Sequence, residues 1–446
     1  MSVVTELPII DTNAARIAGE RMSQRLVTAF VLSGIFFMML PGTFLGVWNL
    51  VSISEAHNTA TLPQAWLQAH GQAQLFGWVG SFILGIGFYS LTKMQSGRAF
   101  PARMGWTAWF LWTAGVTLRW LAGVTTWNWR VGLALSAVLQ LAAFLLFYAS
   151  VRRHRPHTSH SSAKPEVWMK IVSVGTVGFL VTLAVNCGIL FRQAWIGDSP
   201  ALPHVLDEKF VLLAIWGIFV PTIWGFNARW LPTFAGLKKP NGRRLLLAYA
   251  FSVVGIVTTF SGWLPVAGVA LLFAALLSID ALHVWEPSIN PPKLLNIHPS
   301  FVVFIRLTYV WLLLSCLLAL LAAPLDRSGG FWGASRHALT VGFVAGMVFS
   351  IGHRILPAFC GMCVLWSKQL MFWSLFLLYI GCSLRVAAEP LAYEHLWAPA
   401  WKLLPYSAVL ELTAVSLFAL NICVTMYRPP PHLRLQTKPS PSQGAA

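Results

Sequence analysis

Charge is scarce in this chain. Only 10% of its 446 residues are Asp, Glu, Lys or Arg, with 31 basic against 14 acidic. Ordinary soluble domains carry roughly a quarter charged residues, so one or two soluble domains are excluded. A phosphate-binding glycine loop, a GxSxG nucleophile elbow and an acidic metal cluster are all missing. The six cysteines are scattered and form no disulfide framework. The opening residues, MSVVTELPIIDTNAARIAGERMSQR, lack the basic-then-apolar pattern and small-residue cleavage site of a signal peptide. The first apolar run is therefore expected to stay as a helix.

Apolar residues make up 57% of the chain, and there are 22 tryptophans, a residue that gathers where helix ends meet lipid headgroups. A membrane-spanning helix needs about 20 mostly apolar residues. Twelve stretches meet that need, at 26–49, 70–93, 104–124, 130–151, 168–192, 207–233, 244–264, 265–285, 300–323, 336–358, 369–388 and 404–426. The expected fold is all-α and polytopic, with a short segment at 1–25, a twelve-helix membrane domain over 26–427 and a disordered tail at 428–446. The net charge of +17 sits in short loops, which points to the lipid bilayer rather than nucleic acid. Arg16, Arg21, Arg25, Lys93, Arg98, Arg103, Arg152, Arg153, Arg155, Lys164, Lys238, Lys239, Arg243, Arg244, Arg428, Arg434 and Lys438 all fall on one side. The other side holds Glu55, Asp198, Asp207, Glu208, Asp326, Glu389 and Glu394. The positive-inside rule then makes both termini cytoplasmic.

The chain echoes itself. GWVGSFILGIGFYSL from Gly77, GIFVPTIWGFNARWLPTF from Gly217 and GFVAGMVFSIGHRILPAF from Gly342 align without gaps. They fall in the second, sixth and tenth helices, so three four-helix pseudo-repeats are expected.

Ionisable groups within lipid are costly, and each is a functional candidate. His70, His204 and His337 are expected to open these three helices at the extracytoplasmic end. Imidazole suits copper, iron and haem. Gln72 and Gln74 are placed to hold a ring's second nitrogen, and Gln72, not His70, aligns with His337. The alternative is that each histidine sits among headgroups and bonds water. His353 lies sixteen residues from His337, roughly 24 Å along a helix, so the two cannot share a metal. Arg229 and Arg354 suit haem propionates or lipid phosphates, with Arg119 and Arg306 as further candidates and interfacial anchoring as the alternative. His283 and His298 accompany His353 at the other, cytoplasmic end, where a second metal site is a candidate and snorkelling or interfacial placement the alternative. Cys360 and Cys363 have the CxxC spacing of a metal or redox pair, or of chance. The run RRHRPHTSH, Arg152 to His160, reads as an anchor or a metal tract. Few intramembrane carboxylates are expected, which weighs against a proton-coupled transporter.

These residues resemble the NnrS family of bacterial membrane proteins. AHGQAQLFG, Ala69 to Gly77, is similar to that family's W-H-A-H-E-M-L-F-G at His70, Leu75, Phe76 and Gly77. SGRAFPARMGW resembles its T-G-R-P-P-L-x-G-W, LRWLAG its stretch ending in R-L, and NARWLPTF (Asn227 to Phe234) a further block. HALTVG stands unchanged at His337 to Gly342. The resemblance runs from about residue 25 to 425. It implies a twelve-helix inner-membrane protein containing haem and copper, similar in helix count to haem–copper oxidases. It also implies a role in denitrification or resistance to nitric oxide, with nitric oxide as a gas ligand and an unnamed redox partner. His70 and His337 match the two motif histidines and would be the haem ligands. Gln72 stands where the first motif has its second histidine, so a copper ligand is lost or replaced, for instance by His204. The alternatives are a cofactor-free transporter or permease and a structural or assembly protein. No adjacent His-His pair and no helix with histidines two apart is present, so ligand count does not favour oxygen or nitric oxide reduction.

Overall fold

The computed structural model describes residues 12–92, 99–154, 166–361 and 363–428. Among them the regular structure is entirely helical, as lipid requires of any segment that must bond its own backbone groups internally. Eleven helices are long and apolar enough to cross a membrane. They are α1 (Ile17–Ala56), α2 (Gln64–Leu91), α4 (Trp129–Arg153), α5 (Val167–Ile196), α6 (His204–Phe234), α7 (Gly242–Phe260), α8 (Leu264–Leu282), α9 (Phe301–Leu325), α10 (Gly330–Phe359), α11 (Lys368–Tyr393) and α12 (Ala400–Tyr427). The twelfth, α3 (Ala102–Thr125), is as long but more polar, with Arg103 and the buried Arg119 within it.

The units repeat in space as they do in sequence. α3 packs on α4, α7 on α8 and α11 on α12 as antiparallel pairs. α4 then meets α5, α8 meets α9, and α12 returns to α1, which closes a ring of three units. The aligned helices α2, α6 and α10 form its inside. They bury 72%, 78% and 78% of their most apolar stretch, against 28–50% for the other eight apolar helices. At mid-height these three touch one another. Phe76 meets Phe219 at 6.4 Å between ring centroids, Trp78 meets Phe349 at 5.9 Å, and Asn227 Nδ2 lies 3.6 Å from Met347 Sδ.

Each inner helix carries a π-helical turn in the same register. Ala73–Gly80 and Ala338–Ala345 cover the same aligned positions, and Ile215–Phe219 lies inside them. A fourth such turn, Met38–Phe44, interrupts α1 and contains Pro41. The Cys363 Sγ lies 3.8 Å from the Arg428 carbonyl, and the Cys360 thiol meets Thr28 near the start of α1. α1 therefore begins, and α12 ends, on one face.

Several boundaries differ from the sequence reading. α2 begins at Gln64 and α10 at Gly330, so His70 and His337 sit two turns inside their helices; only His204 stands at a mouth. α11 runs through Pro390 to Tyr393, because a membrane helix tolerates proline where neighbouring groups satisfy the freed carbonyl. Glu389, expected in a loop, is therefore within the spanning helix. Helix already forms from Thr12, inside the segment expected to precede the membrane domain. The disordered tail expected after 428 and the basic tract beyond His154 lie outside the described residues. Both ring nitrogens of His154 rest against carbonyls, of Ser150 (2.8 Å) and Ala99 (3.1 Å).

Candidate functional site

The π-helical turn in α1 builds one wall. A π turn disturbs the regular ladder and leaves carbonyls with spare accepting capacity. Four side chains use it. Thr43 Oγ1 donates to the Met38 carbonyl, Gln74 Nε2 to the same carbonyl and to Thr43 Oγ1, Trp120 Nε1 to Pro41, and His70 Nδ1 to Gly42 at 2.8 Å. A carbonyl can only accept, so Nδ1 of His70 carries the proton and Nε2 keeps its lone pair. The ring lies directly over Gly46, where a Cβ would come within 2.5 Å of Cε1.

The opposite wall is α10 and α11. His337 Nδ1 donates to the Gly333 carbonyl at 3.2 Å and lies 3.3 Å from Glu389 Oε2. The same logic leaves its Nε2 open. Arg385 grips that carboxylate, with Nε 3.2 Å from Oε2 and Nη2 3.4 Å from Oε1. Arg385 and Glu389 are one helical turn apart, the spacing at which opposite charges meet on one face. Both are buried, at 7% and 3% exposure, so neither would persist there without the other. The carboxylate fits because position 333 is glycine, where a Cβ would fall 2.1 Å from Oε1.

His337 and Arg385 lie close enough to His70 for their charges to reach it, and Glu411 on α12 is within reach of His337, Arg385 and Glu389. The two histidines, far apart in sequence, therefore belong to one polar chamber among α1, α2, α10, α11 and α12. Its lining is not saturated. Arg385 Nη1, Glu411 Oε1 and both amide atoms of Asn49, which lies one turn along α1 from Gly46, are buried without a hydrogen-bond partner. Buried polar groups are seldom left so unless an unseen group satisfies them. A charged path leaves the chamber. Arg336 acts on both Glu389 and Asp207, and Asp207 also feels Arg119, His204 and Glu208.

The other sequence candidates fall elsewhere. Gln72 is buried with its Nε2 unpartnered and does not hold the His70 ring, a role the Gly42 carbonyl takes. Gln74 supports the bulge instead. His204 is 64% exposed and pairs with Glu208 at 3.5 Å, outside the chamber. His353 lies toward the opposite end of α10, where its Nδ1 donates to the Phe349 carbonyl at 2.7 Å and its ring meets Phe418. Arg229 pairs with Glu166 at 3.1 Å and covers Trp168. Arg354 stacks over Phe234 at 4.9 Å. Arg306 donates to the carbonyls of Val284 and Glu286, and His283 pairs with that glutamate's side chain at 2.6 Å. His298 bonds Ser300. His353 is buried with its Nε2 unpartnered, and the others anchor helix ends and loops. Cys360 and Cys363 are free thiols, and burial pushes both up, Cys360 to about 11.

Arg385 and Glu411, and the buried placement of Glu389, escaped the sequence reading. The available signal was an Arg–Glu pair four apart in SLRVAAEPLAY, obscured by a proline that reads as a helix stop. Carboxylates within the spanning helices are few, as expected: Glu389 joins Asp207, in the first turn of α6, and Glu411.

The donor chemistry fits a haem. Two imidazoles present open Nε2 atoms with Nδ1 anchored, and a buried guanidinium has a donor to spare for a carboxylate. For copper the same two imidazoles are present, and no group of three or more His, Cys, Asp or Glu among the described residues is placed to hold a metal ion. A family model described as DUF8744, a domain of unknown function, matches residues 215–426, a span that contains His337, Arg385, Glu389 and Glu411. No curated protein matches the chain.

Proposed function

We propose that the chain is a haem protein of the bacterial inner membrane, with both termini cytoplasmic and with His70 and His337 as the iron ligands. The resemblance to NnrS supports a role in nitric oxide or nitrogen-oxide metabolism, or in the response to nitrosative stress. The observation that carries the reading is the convergence of two imidazoles, each with Nδ1 held by a backbone carbonyl and Nε2 open. A bound haem would supply binding of a diatomic gas or transfer of one electron to a redox partner. The chain's own residues hold and orient. Gly42 and Gly333 set the tautomers, Arg385 would hold a haem carboxylate with its unpartnered Nη1, and the aromatic layer of Phe76, Trp78, Phe219 and Phe349 closes the chamber from below. Copper, which the resemblance also implies, would draw on the same imidazoles, and metal analysis of the purified protein decides it.

The test is the absorption spectrum of protein purified from haem-replete cells. A Soret band is expected, and its absence overturns the reading. A second reading, a cofactor-free transporter, is favoured by Glu389 and Glu411 within the spans, since buried carboxylates mark ion and proton pathways. It predicts a colourless protein.

A further inference from the structure

The two imidazoles are not equivalent. Both donate Nδ1 to a backbone carbonyl, but His337 Nδ1 also lies 3.3 Å from a carboxylate that Arg385 fixes in place. A carboxylate behind an imidazole draws its N–H proton outward and makes Nε2 a more basic ligand, an effect a peptide carbonyl produces more weakly. The backing of His70 is also the thinner one. The α1 segment that holds it forms one side of a lipid-facing groove of about 590 Å³, lined on that side by Phe37, Leu40, Pro41, Phe44 and Leu45. The groove is lined almost wholly by apolar side chains. Its one hydroxyl, on Thr117, and two of its three indole N–H groups, on Trp66 and Trp120, are spent on carbonyls, and the third indole belongs to the exposed Trp48. It suits a neutral apolar solute arriving from the bilayer.

We infer that His337 is the permanent ligand of the site and His70 the exchangeable one, so that a small neutral ligand such as a diatomic gas is taken up on the His70 side. Glu389 acts as a positioning residue that strengthens His337. This rests on the haem reading above. On uptake the coordinate bond from His70 Nε2 would break and one from the incoming ligand would form, with no change of oxidation state, while His70 keeps its Nδ1 hydrogen bond to Gly42.

Carbon monoxide binding to the reduced purified protein tests it. In a His70→Gly variant the Soret band persists. If His70 occupies the site nine-tenths of the time in the wild type, removing it raises the apparent carbon monoxide affinity about tenfold, since affinity scales with the fraction of competent sites. His337→Gly loses haem to a greater extent than His70→Gly. Glu389→Gln, which conserves shape, keeps the Soret band and raises the reduction potential, because a weaker donor at His337 stabilises the oxidised state less. A merely structural role for Glu389 leaves the potential unmoved. The inference is overturned if His337→Gly is the variant that gains affinity, if neither variant does, or if Glu389→Gln leaves the potential unchanged. A wild-type protein without a Soret band overturns the haem reading itself, which distinguishes the two failures.

Discussion

Gly46 on α1 lies so close beneath His70 on α2 that a Cβ at Gly46 would come within 2.5 Å of the ring's Cε1. The contact explains how an imidazole is held two turns inside a membrane helix without a polar side chain to grip it. One hydrogen bond to the Gly42 carbonyl fixes its direction, and the bare backbone of Gly46 gives it room.

The first prediction follows from that contact. Gly46→Ala drives the ring off its seat and costs about 1–3 kcal/mol, as overpacking of a filled interior does. A Cβ at Gly71, next to His70 in the chain, would meet nothing within 4 Å, so Gly71→Ala is expected to be neutral or slightly stabilising. Thermal unfolding in detergent, followed by tryptophan fluorescence, compares the two. Equal melting temperatures would remove the steric argument.

A second concerns the buried ion pair. Arg385→Leu leaves the Glu389 carboxylate buried without its partner and is expected to cost about 3–5 kcal/mol. The double variant Arg385→Leu, Glu389→Leu removes both charges and is expected to recover much of that loss. A double variant as unstable as the single one would mean that the carboxylate is not what suffers.

The third concerns a loop on the face where α1 begins. Lys238 lies 2.7 Å from Glu286, and His283 2.6 Å from the same carboxylate. The hydrogen bond from Lys238, and next that from His283, holds the Glu286 carboxyl below its ordinary 4.5. A depressed carboxyl stabilises the folded loop fully above its ordinary value, and that contribution is lost as pH falls through the lowered one. Protection of residues 283–298, read as exchange relative to the intrinsic rate at each pH, is therefore expected to hold steady from pH 7 down to the ordinary carboxyl value of 4.5 and to fall as the pH drops below it. In Lys238→Ala the onset moves to higher pH.

The fourth concerns Cys360. With its thiol pushed up to about 11 from 9.0, it holds roughly a hundredfold less thiolate near neutral pH than an unperturbed cysteine. Iodoacetamide is expected to modify it at least that much more slowly than a reference thiol, with the rate climbing steadily to pH 10. Rapid labelling at pH 7 would make the CxxC pair a redox candidate again.

Much of the architecture was legible in the sequence because lipid imposes a simple rule. Apolar runs of about 20 residues must be helices, and twelve runs give twelve helices. The gapless alignment of three glycine-led segments marked α2, α6 and α10 as equivalent, and the shared register of their π turns bears that out. The site was legible in part. His70 and His337 stood out because an imidazole in an apolar run is unusual, but the same criterion selected His204 and His353, which the fold sends to a surface and to the far end.

Local sequence therefore determined which segments span and which residues were conspicuous, since both depend on hydropathy over a few turns. Closure of the three units into a ring decided which of those residues meet. It set α11 and α12 against α10 and brought Arg385, Glu389 and Glu411 to His337. It also laid the bulge of α1 across His70. Those contacts depend on positions hundreds of residues apart, where a missing Cβ at Gly46 or Gly333 decides whether a ring or a carboxylate can be seated at all.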